Sequence, residues 1–269
     1  MDKDEALLET KPASMGVFIP GNRGRIFTTI YTPGGSLPYP VVIICHGLPG
    51  TEKLLDFAVA LRDQGFCTIS FHYSGCWGSD GTYSFANCQE DVDSVAAYVR
   101  RNEDGLFDLN RVFILGHSLG GLMACYGLAG NAFIKAGVII MPANVAEDFK
   151  TAGTSPQAEK QVADVYDKEF APWLKGFSWE ASKAEAEENL SRFSLDTYAK
   201  AAAEKEVLLI AGTKDEVLAR ENHIDKLKNA VSEFKGEKAN LLEVATDHGM
   251  NWNRGEIISA VLGFFNGLK

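Results

Sequence analysis

Residues 111–121 read RVFILGHSLGG, and residues 122–130 continue LMACYGLAG. Arg111–Leu115 has the β-branched, apolar character of a strand covered on both faces, and Leu119–Gly130 is dominated by small residues that let a helix lie close to a sheet. Between them, Gly116, His117, Ser118, Leu119 and Gly120 form G-x-S-x-G. Glycine on either side permits a sharp turn and leaves room for the Ser118 hydroxyl to protrude at the helix entrance. The stretch predicts a strand–turn–helix unit with Ser118 as a nucleophile; a purely structural turn is the alternative.

The same alternation continues in both directions. Upstream, Val41–Cys45 is an unbroken apolar run that ends in HGLPG, Leu54, Leu55, Ala58 and Leu61 recur at helical spacing, and Phe66–Phe71 is another short strand. Met15–Pro33 reads as one or two edge strands, with Ile26, Thr28 and Ile30 alternating against Phe27, Thr29 and Tyr31. Asn87 and Glu90 have capping-box spacing at the entrance to a helix that carries Val92, Val95, Ala96 and Val99. Downstream, Ala136–Met141, Val207–Ala211 and Leu241–Ala245 read as strands and Glu256–Leu268 as a closing amphipathic helix. Repeated strand–helix alternation predicts a mostly parallel sheet with right-handed crossovers and helices on both faces. Residues 143–205 interrupt it. They are rich in Ala, Glu and Lys, hold two or three helical patterns and are too long for a turn, so they read as a helical cap inserted into a core of residues 1–142 and 206–269.

Composition narrows the classes of function. The 269 residues carry a formal net charge of −10, which repels phosphate backbones and argues against nucleic acid as a partner. The start, Met1-Asp2-Lys3-Asp4-Glu5, lacks the basic flank and apolar run of a secretory signal, and no stretch is long and charge-free enough to cross a bilayer. A cytoplasmic protein that does not enter the membrane is expected. The five cysteines form no C-x-x-C pair and read as reduced packing residues. Nothing in the composition speaks to oligomeric state.

A serine hydroxyl is a weak nucleophile at neutral pH and needs a base. His248 is the first candidate, because Asp247-His248-Gly249-Met250 follows a strand and lies after Ser118 and an acidic loop in chain order. His117 is a weaker candidate, since its side chain should leave the turn in another direction, and His46, His72 and His223 rank below it. Asp215, at the exit of the Val207–Ala211 strand, is placed to accept the second imidazole hydrogen bond; Glu216 and Asp247 are the substitutes. The Leu48 amide in His46-Gly47-Leu48-Pro49-Gly50 and the Leu119 amide are the candidate donors to a developing oxyanion.

Taken together, these motifs resemble the α/β-hydrolase superfamily over nearly the whole chain, particularly bacterial serine hydrolases near the acylaminoacyl-peptidase and short-chain carboxylesterase branches. HGLPG is similar to the family's oxyanion loop, GHSLGG to its nucleophile elbow, GTKDE to its acid loop and DHGM to its histidine loop. FHYSGCWGSDGTYS resembles a segment often written around G-x-G-x-S, with one extra residue between Gly75 and Gly78. The resemblance implies an α/β-hydrolase fold with a small helical cap and Ser–Asp–His chemistry, with no metal or organic cofactor. The activity it implies is cleavage of small or medium carboxylic esters through an acyl-serine. Amidase or peptidase action on N-acylated amino acids or short peptides is the runner-up, and a non-catalytic small-molecule-binding relative the third reading. Six cap aromatics, Phe149, Tyr166, Phe170, Trp173, Phe177 and Trp179, are candidates to close an apolar acyl pocket. Of these Trp173, together with Trp77 near the active face, is expected to contact substrate.

Overall fold

The computed structural model describes residues 9–268. First come β1 (Glu9–Thr10), the hairpin of β2 (Ala13–Gly21) and β3 (Gly24–Thr32), and β4 (Gly35–Ser36), which pairs with β1 outside the main sheet. Along β3, Ile26, Thr28 and Ile30 are buried while Phe27, Thr29 and Tyr31 are half-buried, the period of two read from the sequence. The α/β alternation follows: β5 (Tyr39–Cys45), α1 (Leu55–Asp63), β6 (Cys67–Phe71), α2 (Phe85–Arg101), β7 (Phe107–His117), α3 (Leu119–Gly130) and β8 (Ile134–Ile140).

Between β8 and the next strand lie four α-helices, α4 (Val145–Ala152), α5 (Pro156–Val165), α6 (Trp179–Asn189) and α7 (Asp196–Ala203), where two or three were expected. β9 (Glu206–Gly212), α8 (Ile224–Lys235), β10 (Leu241–Val244) and α9 (Arg254–Asn266) complete the chain. The eight-stranded sheet has the order β10-β9-β8-β7-β5-β6-β3-β2, parallel except where β3 joins β2 and β6. It is the mostly parallel, helix-flanked sheet expected from the alternation, with the hairpin at one edge.

Two cores lie on the two faces of this sheet. β5 feeds both: Val41, Ile43 and Cys45 point into one and Val42 and Ile44 into the other, which is why its sequence is apolar without interruption. The smaller core packs Phe57 and Leu61 of α1 against Ile257, Val261 and Phe265 of α9. The larger takes α2, α3 and the helices after β8. α7 packs on α3 and α8, and so joins the layer against the sheet. Among the described residues no helix is long and apolar enough to cross a membrane.

The expected helix start at Asn87 is displaced by one turn. Ser84 is the N-cap of α2, its hydroxyl accepting from the Asn87 amide at 3.1 Å, while the Asn87 side chain donates to the Thr82 carbonyl at 2.8 Å. Glu185 of α6 also accepts from the Phe85 and Ala86 amides at 3.1 and 2.7 Å. A carboxylate at the positive end of a helix is stabilising, and this one ties the inserted helices to the core.

The close approach at the start of α3 decides which residues can stand there. A Cβ on Gly116 would sit 1.9 Å from the Gly120 carbonyl oxygen, and one on Gly120 would sit 1.9 Å from that of Cys45. Both obstacles are backbone, so no rotamer change relieves them. Gly120→Ala is expected to destabilise the fold by about 3 kcal/mol or more, at the upper end of overpacking costs. Urea unfolding followed by tryptophan fluorescence reads this directly; a midpoint equal to that of the unchanged protein would contradict the packing described.

Candidate active site

Ser118 stands between β7 and α3 with φ 56° and ψ −123°, a strained conformation for a residue with a Cβ. Its backbone is pinned on both sides: the Ser118 amide donates to the Ile140 carbonyl at 3.0 Å, and the Ser118 carbonyl accepts from Gly121 and Ala143 at 2.8 and 2.9 Å. The turn thus holds a half-buried hydroxyl at the carboxyl end of the parallel strands, where open α/β sheets place their ligands.

Asp215 follows β9 and His248 follows β10. The two loops are laced together, with the Thr213 and Lys214 amides donating to the Val244 and Thr246 carbonyls at 2.8 and 3.0 Å. His248 Nδ1 lies 2.7 Å from Asp215 Oδ2, and His248 Nε2 lies 3.0 Å from Ser118 Oγ. A carboxylate only accepts, so Nδ1 carries the proton and the Nε2 lone pair faces the serine hydroxyl. Asp215 Oδ1 takes the Val217 and Leu218 amides at 2.9 and 3.0 Å. Burial pushes the Asp215 carboxyl up, but the His248 hydrogen bond, its charge and these two amides outweigh that and leave it below its ordinary value.

The substitutes for Asp215 have other settings. Asp247 accepts from the backbone and side-chain nitrogens of Asn251 at 2.7 and 2.8 Å, which curls the loop that carries His248. Glu216 is exposed. Arg254 braces the same loop by donating to the Gly249 carbonyl at 3.3 Å while pairing with Glu52 at 3.0 Å.

The His117 ring ends 4.9 Å from that of His248. His117 Nε2 lies 2.8 Å from the His248 carbonyl, an acceptor only, so Nε2 donates. Burial, then the neighbouring His248, push its pKa down to about 3, so it stays neutral beneath the loop it supports. Nothing in the local sequence signals this positioning contact. His223 is also structural: its Nδ1 accepts from the Asn144 amide at 2.8 Å.

The Leu48 loop reaches the elbow. A Cβ on Gly47 would come 3.1 Å from Ser118 Cβ, so the two backbones pass in contact. Leu119 is the first residue of α3, whose opening amides have no carbonyl within the helix to receive them. Trp77 Nε1 donates to the Pro49 carbonyl of the same loop at 2.9 Å, and the Trp77 ring stacks on Trp173 with centroids 5.6 Å apart. Trp173 is 52% exposed. The inserted segment is stitched down beside it, with Lys175 donating to the Gly75 carbonyl at 2.9 Å and accepting from the Tyr83 amide at 2.8 Å.

The remaining cap aromatics behave differently. Tyr166 contacts Phe149, Phe170, Phe177 and Trp179, so these rings pack on one another. A cavity of ≈ 270 Å³ lies against Phe149 and Trp179, but neither Ser118, Asp215 nor His248 lines it. An open groove of ≈ 770 Å³ does run past Asp215 and His248, between Val217 and Trp252. The five cysteines are free and buried.

A family model described as the alpha/beta hydrolase family matches residues 42–259. The chain belongs to that family. Its fold is shared with Est1E from Butyrivibrio proteoclasticus, at 18% identity and a TM-score of 0.73 over 94% of this chain and 98% of that one. It is shared also with the esterase Pf2001 of Pyrococcus furiosus, at 16% identity and 0.68 over 99% and 93%. A 37% identical match covers 101 residues, 36% of this chain and 35% of an uncharacterized 31.7 kDa protein from the traX-finO intergenic region of Escherichia coli. Another, 28% identical over 123 residues, covers 44% of this chain and 40% of the quorum-quenching protein AidA of Acinetobacter baumannii (strain MDR-ZJ06). These matches span less than half the length of either relative.

Proposed function

We propose that this chain is a serine hydrolase that cleaves small or medium carboxylic esters through an acyl-Ser118 intermediate. The observation that carries the reading is the continuous contact from Ser118 Oγ through His248 to Asp215, at 3.0 and 2.7 Å. His248 Nε2 removes the hydroxyl proton as Ser118 Oγ attacks the acyl carbonyl carbon, and the Leu48 and Leu119 amides receive the negative charge on oxygen. The tetrahedral intermediate collapses as His248 returns the proton to the departing alcohol, leaving the acyl-serine. Water, deprotonated by His248, then attacks the ester carbon and Ser118 leaves with the proton, releasing a carboxylic acid. In this reading α4, α5 and α6 of residues 143–205 act as a cap, and α7, packed on α3 and α8, stays with the core that residues 1–142 and 206–269 supply.

The test is a fluorophosphonate label followed by a matched panel of short esters, long esters, thioesters and acylaminoamides. Labelling at Ser118, lost in His248→Ala, with fastest turnover on short or medium esters is expected. Preference for the acylaminoamides would replace the ester reading with the amidase one. Absence of both label and turnover would leave a binding protein.

The stacked indoles of Trp77 and Trp173 serve, on this proposal, as an apolar wall beside the Leu48 loop. Trp173→Ala, at an exposed position, is expected to shift the ratio of kcat/KM between aryl and small-alkyl esters by about 10-fold, the scale of one lost apolar contact, while leaving the melting temperature in place. Trp77→Phe keeps a ring and removes the donor to Pro49, and so separates wall from loop support. Unchanged preferences in both variants would remove these residues from the substrate site.

A further inference from the structure

Three side chains at the base of the Leu48 loop take no part in this chemistry. His46 follows β5, His72 follows β6 and Cys76 lies in the tight turn after it; they are 2%, 7% and 1% exposed. One donor atom of each lies within 4.8 Å of the other two. His46 Nδ1 is 2.7 Å from the Gly47 carbonyl and therefore holds the proton, so Nε2 presents a lone pair. That Nε2 and His72 Nδ1 are both buried with no hydrogen-bond partner. Buried polar atoms normally find one, and the Cys76 thiol has only a 3.5 Å contact to the Pro49 carbonyl. Burial lowers the pKa of His46 to about 4 and, with His46 and Lys53 adding to it, that of His72 to about 3, which leaves both imidazoles in the neutral form that ligates.

We propose that His46, His72 and Cys76 form a binding site for a monovalent copper ion. Two imidazoles and a thiol are soft to borderline donors that suit copper or zinc and exclude magnesium and calcium, which require oxygen. Charge separates the first two. Burial pushes the Cys76 thiol up to about 12, so it binds as thiolate only when the ion displaces its proton; with that proton passed to solvent, Cu⁺ leaves a neutral site and Zn²⁺ leaves one positive charge. Lys53 Nζ stands 5.0 Å over the ring of Trp77, the neighbour of Cys76 in the chain, and disfavours that added charge, while Asp91 is an acid that acts on Cys76. Asp91 is already committed to the Ser74 amide and hydroxyl at 2.6 and 2.8 Å. Bonds of about 2.0–2.3 Å place three trigonal donors roughly 3.5–4 Å apart, so the cluster must contract by up to about 1.3 Å. The turn that carries Cys76 is flanked by Gly75 and Gly78, both at positive φ, and rotation of the thiol is the shortest route. A water bridging the same lone pairs is the rival occupant.

Anaerobic titration of the reduced protein with Cu⁺ in competition with bicinchoninate tests the site without reference to hydrolysis. One equivalent is expected. Cys76→Ser and His72→Asn, each checked for folding by circular dichroism, should weaken it by about 100-fold, as loss of a ligand does. Cys125→Ser, which removes a buried thiol from outside the cluster, should leave it unchanged. No competing equivalent in the intact protein, or one that survives both ligand substitutions, would overturn the proposal in favour of water. Tighter retention of Zn²⁺ at the same residues would overturn the copper assignment.

Discussion

Ser118→Ala is expected to lower ester turnover by about 10⁴–10⁶-fold and to abolish fluorophosphonate labelling, because on the proposed mechanism Ser118 Oγ is the atom that attacks the acyl carbonyl. The fold should be almost indifferent to the change. Ser118 Oγ is half-buried and its hydrogen bond is to His248, so alanine removes one polar contact and leaves the backbone contacts to Ile140, Gly121 and Ala143 in place. Ser118→Gly distinguishes strain from chemistry. At φ 56° and ψ −123° a side chain costs about 1–3 kcal/mol, and glycine removes much of that cost. The glycine variant should therefore be inactive and more stable to urea than the alanine variant. Covalent acyl turnover that survived in Ser118→Ala would sink the proposed mechanism outright.

Asp215→Asn should reduce kcat by about 10³–10⁴-fold with little change in KM. The physical reason is a tautomer. With the carboxylate present, Asp215 Oδ2 accepts from His248 Nδ1 while Oδ1 is held by the Val217 and Leu218 amides. In asparagine the carbonyl oxygen stays with those two amides and the NH₂ group turns toward Nδ1. Two donors cannot face each other, so the imidazole proton moves to Nε2 and the lone pair that should receive the serine proton is lost. Nitrogen chemical shifts of His248 would record the exchange, and the turnover assay its consequence. Full turnover in the Asp215→Asn variant would transfer the acid role to Glu216 or Asp247, although the Asp247 carboxylate is already closed onto Asn251.

Most of the architecture is legible because it is written in local punctuation. The uninterrupted apolar run of β5 signals burial on two faces, and the small residues of α3 signal close approach; both follow from the chain within a few residues of each position. Helix entry is less clear. Ser84 and Asn87 are both able to cap, and only the path of the chain from Thr82 shows that Ser84 occupies the turn and Asn87 the first helical residues. α8 carries a readable signal that the strand–helix alternation drawn above leaves out, with Ile224, Leu227 and Val231 at helical spacing on its buried side. The helices after β8 exceed the number expected, since short amphipathic pieces broken by Pro156 and Pro172 blur into one another when only periodicity is followed.

By itself, the sequence determined the residue types and the order of their loops: a serine between two glycines after a strand, then an acid after a strand, then a histidine after a strand. Chain order and turn chemistry are local properties, so they can be read without coordinates. Contact is not local. His248 meets Ser118 from 130 residues away, His117 supports the carbonyl of His248 across 131, and Trp173 stacks on Trp77 beside the point where Lys175 is held to the Gly75 turn. The tertiary structure alone decided those meetings, because the direction of a side chain at a strand end depends on how neighbouring strands stack and which backbone groups remain to be satisfied.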